Sequence, residues 1–138
     1  MASGIYNRFK ANLMNKEVDI GASGDVIQVA LMDNVHVFAA TDNVWADVSA
    51  NELPVAGNYA ANGEVLAGQA VTQAATTKWD GTDTAWTSAT FTAYHAVLWD
   101  NTVATDDLIC SFDFGGAKTV TAGTFTIQWH ANGIITLT

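Results

Sequence analysis

The side chains that could do chemistry in this chain are few, and they stand apart. His36, His95 and His130 are its three histidines, and none lies at the His/Cys/Asp spacing that zinc sites use. His95 and His130 fall in expected strands flanked by aromatic residues, where an imidazole reads as a core or surface ring. Cys110 is the single cysteine, so no intramolecular disulfide can form. It sits in the apolar run LICSF and reads as a buried structural thiol. A nucleophilic pair of Cys110 with a histidine stays open as an alternative, with nothing nearby to activate the thiol. There is no G-x-S-x-G, no phosphate loop and no glycine-rich dinucleotide turn. Asp80-Gly-Thr-Asp83 and Asp106-Asp107 lie in expected loops and could offer oxygens to Ca²⁺, but the twelve-residue loop with its closing Glu is absent. Asp-Gly pairs in loops are also ordinary turn chemistry. The expectation is a chain with no catalytic residues, no cofactor and no metal, and not an enzyme.

The tryptophans are the other chemically expressive set: Trp45, Trp79, Trp86, Trp99 and Trp129. Trp99 and Trp129 lie in strongly apolar strands and are expected inside. Trp79 and Trp86 flank the loop DGTDT, where exposure would make them a sugar-stacking pair. Large aromatic surfaces contribute most in cores and subunit interfaces, which is the reading preferred for all five.

The composition limits what these residues can serve. With 138 residues, 49% of them hydrophobic, the chain is expected to form one domain with a packed core. A net charge of −9 argues against nucleic acid as a partner, because phosphate neutralisation needs a basic face. The charge is uneven: Arg8, Lys10 and Lys16 stand in an acid-free first sixteen residues, and all fourteen acids follow, against only Lys78 and Lys118. No stretch approaches the ~20 apolar residues of a membrane span. The opening MASGIYNRFKANLMN has no continuous apolar core of a secretory signal, so synthesis in the cytoplasm and no membrane partner are expected.

The elements that would hold these residues follow from hydrophobic spacing. Ile5, Phe9 and Leu13, joined by Tyr6 and Met14, recur at helical spacing over residues 4–15, with Ser3 as candidate N-cap. This amphipathic basic helix either closes one end of the core or forms an arm over residues 1–16, with 17–138 as the β core. A strand is expected over 25–32, and a short helix over 45–52 between Asp42 or Asn43 and Pro54. Val35–Phe38 is extended in this reading. Further strands are expected near 69–79, 84–92, 95–100, 108–114, 119–121, 124–130 and 134–137. In GTFTIQWHANGIITLT, apolar and polar residues alternate on either side of Asn132-Gly133, a pair favoured in hairpin turns. The expected fold is mainly β: a single-domain antiparallel β-sandwich or barrel-like fold with an N-terminal helix and one short internal helix. Its Thr-lined, Lys-poor sheets are poorly guarded against edge pairing.

Six segments together, YNRFKANLMN, GDVIQVALM, WADVSANELPVAGNYAANGEVL, FTAYHAVLWD, LICSFDFGG and GTFTIQWHANGIITLT, span nearly the whole chain. Their run of strands, glycine turns and a short helix resembles a group of small tailed-bacteriophage virion proteins. The resemblance is closest to capsid decoration (cement) proteins of the outer head surface. It implies a structural role in the virion, the major capsid protein and sister subunits of a homotrimer as partners, and no catalytic residues. On that view Arg8, Lys10, Lys16, Phe9 and Leu13 are the expected contacts with capsid or subunit. Two alternatives are carried: a glycan-binding adhesion module of a head or tail fibre, and a tail-tube or connector subunit.

Overall fold

Alternating apolar positions become two antiparallel sheets in the computed structural model, which describes residues 2–138. A short strand β1 (Gly4–Ile5) leads into α1 (Asn7–Asn15), followed by β2 (Ile27–Met32). Helix α2 (Trp45–Val48) runs on into a 3-10 turn at Ser49–Asn51. Then come β3 (Glu64–Val65), β4 (Ala70–Thr72), β5 (Thr77–Asp80), β6 (Thr84–Asp100), β7 (Leu108–Ile127) and β8 (Ile135–Leu137). The main sheet has the order β1-β7-β6-β2-β3, and the smaller one β4-β5-β8. The expected mainly β fold with a helix near the start and a second short one is therefore present.

Five short strands expected between residues 84 and 130 are instead two long ones. β6 and β7 pair from Thr84↔Ile127 to Trp99↔Leu108. Bulges keep the pair continuous: Ser88 in β6 and Ala122 in β7 both take positive φ, and their register shifts offset each other. Gly115-Gly116 belongs to a wider bulge, where residues 114–117 stand opposite Tyr94 alone. Both glycines have positive φ, so the backbone can make the excursion without leaving the strand.

The main sheet buries both faces. On one, Phe9 of α1 packs with Val29, Leu31, Leu98 and Ile109, and with Trp79 and Ile135 of the smaller sheet. On the other, Trp45 of α2 stacks on Trp99 at 5.1 Å and 6°, beside Tyr6, Met32 and Val97. Full burial of each of these large side chains stabilises by roughly 2 kcal/mol or more.

Three local expectations are corrected. The helix begins at Asn7 and not at residue 4, because Gly4 and Ile5 pair with Ser111 and Cys110 of β7. Ser3 is no cap; its Oγ accepts the Asp113 amide at 2.8 Å and fastens the chain start to β7. Asp33 Oδ1 accepts the amides of Val35 and His36 and turns the backbone there, and residues 35–38 join no sheet. The turn at Asn132-Gly133 joins no hairpin. It carries the chain from the main sheet to β8, which pairs with β5 while the Ile134 amide bonds Trp79 O at 2.7 Å.

Candidate interaction surface

The helical residues expected to meet a partner are mostly engaged within the fold. Phe9 is 1% exposed, in the core, and is not presented to a partner. Arg8 Nε lies 3.0 Å from Asp107 Oδ2, and that carboxylate also accepts from Asn12 Nδ2 at 2.7 Å, while its Oδ1 accepts from Thr105 Oγ1 at 2.7 Å. Burial alone would raise the Asp107 pKa, but the bonds from Thr105, Asn12 and Arg8 hold it below the ordinary carboxylate value. The helix is thus locked to the β6–β7 turn, closing the core and not extending as an arm. Leu13 is half-buried on the wall of an apolar hollow of about 170 Å³, with Phe9, Ile20, Val71, Trp79 and Leu137. Lys10 and Lys16 remain exposed, together with Met14.

Sequence separation hid a second cluster. His36 and His95 meet with ring centroids 5.1 Å apart, and His36 Nε2 is 3.0 Å from Ser111 Oγ. His95 Nδ1 lies 3.1 Å from Asp33 O, and its Nε2 is 3.7 Å from Asp113 Oδ1. The pair looks like a serine and its base, yet Ser111 and both histidines are 1% exposed and His36 Nδ1 has no carboxylate to orient it. A nucleophile needs access and an oriented base, so the cluster is a buried clasp between residues 33–38 and the sheet. Burial, reinforced by His95 and opposed by Asp33, lowers the His36 pKa to about 4. Cys110 precedes Ser111 in β7 and so faces the opposite side of the sheet from these imidazoles. It is buried, and burial pushes its thiol far up.

The acidic loops use their oxygens for turns. Asp80 Oδ1 accepts the Gly81 amide at 2.9 Å and Asp83 Oδ1 accepts the Trp129 amide at 2.9 Å, while Asp107 holds α1. Among the described residues, no three His, Cys, Asp or Glu side chains converge as metal ligands. Trp79 and Trp86 are each 2% exposed, in line with the preferred core reading and against the alternative of an exposed stacking pair. Trp86 and Tyr59 form the floor of a hollow of about 570 Å³ with Asn58 and Glu64 on its walls, and offer no open ring face. Trp99 is internal at 2%, whereas Trp129 is half-buried, its Nε1 donating to Thr82 O at 3.2 Å beside Phe112.

The surface left uncovered is the far half of the β6–β7 ribbon. β1 covers the outer side of β7 at Cys110 and Ser111, and among the described residues no strand continues beyond them to Ile127. Phe114, Val120, Phe125 and Ile127 are only half-buried there, and Phe125 packs on Phe91 at 5.2 Å and Phe114 at 6.2 Å. A groove of about 340 Å³ runs between Phe114, Lys118, Phe125 and Ile127. Residues 84–99 and 114–127 contain none of the fourteen carboxylates and one charge, Lys118. That acid-free run was open to reading in the sequence; its union in one ribbon was not.

No family model, curated protein or solved structure matches the chain.

Proposed function

We propose that this chain is a structural subunit of a tailed-bacteriophage virion, a decoration (cement) protein that binds the outer head surface and stabilises the capsid lattice. The observation that supports it best is the bare, half-apolar and nearly uncharged ribbon of β6 and β7 in a chain of net charge −9. Such an edge is a hazard on a free monomer and is useful on a subunit whose neighbours cover it. The resemblance of the six segments to small virion proteins supplies the particle. Binding that selects the mature lattice stabilises it by mass action, and many symmetry-related contacts add through multivalency. The major capsid protein is the partner across the head surface, and sister subunits are the partners across edges.

Lys10 and Lys16 are the cations of the helix left free to meet an acidic capsid. Deleting residues 1–16 is a poor test, because Tyr6 and Phe9 are core residues. The informative variant is Lys10→Glu/Lys16→Glu, added to purified expanded heads that lack the protein. Saturable occupancy by the wild type and reduced occupancy by the variant are expected. Wild-type protein that leaves mature heads bare would refute the decoration role.

The same ribbon also suits a tail-tube or connector subunit, since an edge meeting a different edge closes a ring. Assembly into rings of six or twelve would identify that case. The glycan alternative has lost its stacking pair to the core.

A further inference from the structure

We propose that the edge of β7 from Thr119 to Ile127 docks on the same edge of a second copy of this chain, so that the two main sheets run together as one. The pairing deepens the assembly role above by naming a surface and its occupant. The other outer strands are short: Gly4–Ile5 of β1, Glu64–Val65 of β3, which carries an acid, and three residues each in β4 and β8. The opposite margin of the ribbon, residues 84–94 of β6, is bridged by the 57–58 loop at Thr87 and Thr90. β7 offers the longest run left unbridged, nine residues spanning up to about 30 Å and interrupted once by the bulge at Ala122.

Three features favour a second copy over an unrelated protein. An antiparallel edge is its own complement, because its donors and acceptors repeat in the order that a two-fold axis requires. Two chains of charge −9 repel almost everywhere, and the ribbon is where they can approach without opposing carboxylates. The apolar groove beside the edge, between Phe114, Phe125 and Ile127, lies on the strand that would be paired. The wide four-residue excursion around Gly115-Gly116 and Lys118 bound the pairing at one end, and the single-residue bulge at Ala122 divides it into Thr119–Thr121 and Thr124–Ile127. Nine residues of edge bury only several hundred Å² per copy, so the isolated pair is weak and concentration-dependent. Repetition in an assembly would make it strong.

Sedimentation equilibrium of the full chain from micromolar to about millimolar concentration tests this. Reversible dimerisation is expected, and Thr124→Lys/Thr126→Lys should weaken it at least about tenfold through like-charge opposition. Far-ultraviolet dichroism shows whether that variant is folded. If it is not, single substitutions Thr121→Cys, Thr124→Cys and Thr126→Cys replace it, with Ala104→Cys at the far end of the ribbon as control. The native Cys110 is buried and does not compete. Disulfide-linked dimers should form on the edge and not at the control. A wild-type chain that stays monomeric, a folded lysine variant that associates unchanged, or equal cross-linking at Ala104→Cys would overturn the pairing. A monomer that still occupies heads would remove the pairing and leave the decoration role intact. A dimer that binds no head would do the reverse.

Discussion

Two buried acid–base groups pull the stability of this protein in opposite directions with pH. His36 has a native pKa near 4 against 6.5 for a free imidazole, so the unfolded chain takes up the proton first. Its neutral-state stabilisation is complete above pH 6.5 and is lost as pH falls towards 4, by up to roughly 3 kcal/mol. Asp100 is the reverse case: burial, then the neighbouring Asp25 carboxyl, raises it to about 6, against the bond from the Thr102 amide. Its penalty is full above pH 6 and is relieved as pH falls through 6 towards 3.8. Urea melts at stepped pH should therefore separate the two. His36→Gln is expected to leave a chain that gains stability between pH 6 and 4, and Asp100→Asn one that loses it. Parallel profiles for the two variants would contradict this assignment. Asp107→Ala should cost about 3 kcal/mol, because it strands the Arg8 guanidinium and the Asn12 amide at once. Chemical denaturation measures that loss directly.

Among the elements, the ribbon is held by one loop that depends on a glycine. Gly57 has φ 59°, and a Cβ there would collide with the carbonyl of Thr90 in β6. Gly57→Ala should cost about 2 kcal/mol and shift tryptophan emission to the red, as the loop lifts from Trp86. Gly115→Ala meets no atom within 4 Å, so only its φ of 74° is strained and a cost of about 1 kcal/mol is expected. The contrast between a packed and an open glycine could not be read from the letters alone. The strands could, because Ile27–Met32 is a nearly continuous apolar run buried on both faces and the alternation through Phe125 and Ile127 follows from period-two burial. What the sequence concealed was length. The breaks expected between residues 114 and 119 and between 121 and 124 are bulges within one strand, and Asn132-Gly133 links two sheets, because partners far along the chain decide whether a local bend ends an element. The helix was legible in its apolar face, but Arg8 pairing with Asp107, 99 residues away, was not.

As a whole, the molecule separates charge from contact surface. The carboxylates lie outside residues 84–99 and 114–127 of the ribbon, and the uncovered edge carries threonines, half-buried aromatic rings and one lysine. Two kinds of contact should then respond differently to salt. Occupancy on heads through Lys10 and Lys16 should fall as ionic strength rises. Edge pairing should hold or tighten, because salt screens the repulsion between two chains of net charge −9. Titrating salt in both assays distinguishes them, and a common response would show that a single surface serves both.

Hydrogen–deuterium exchange on free and head-bound protein would locate the contact without any substitution. Amides of Thr119–Ile127 that face away from β6 should exchange quickly in the free chain and become protected on the particle. Protection confined to other segments, with these amides exchanging as fast as before, would show that the ribbon is not how this protein is held.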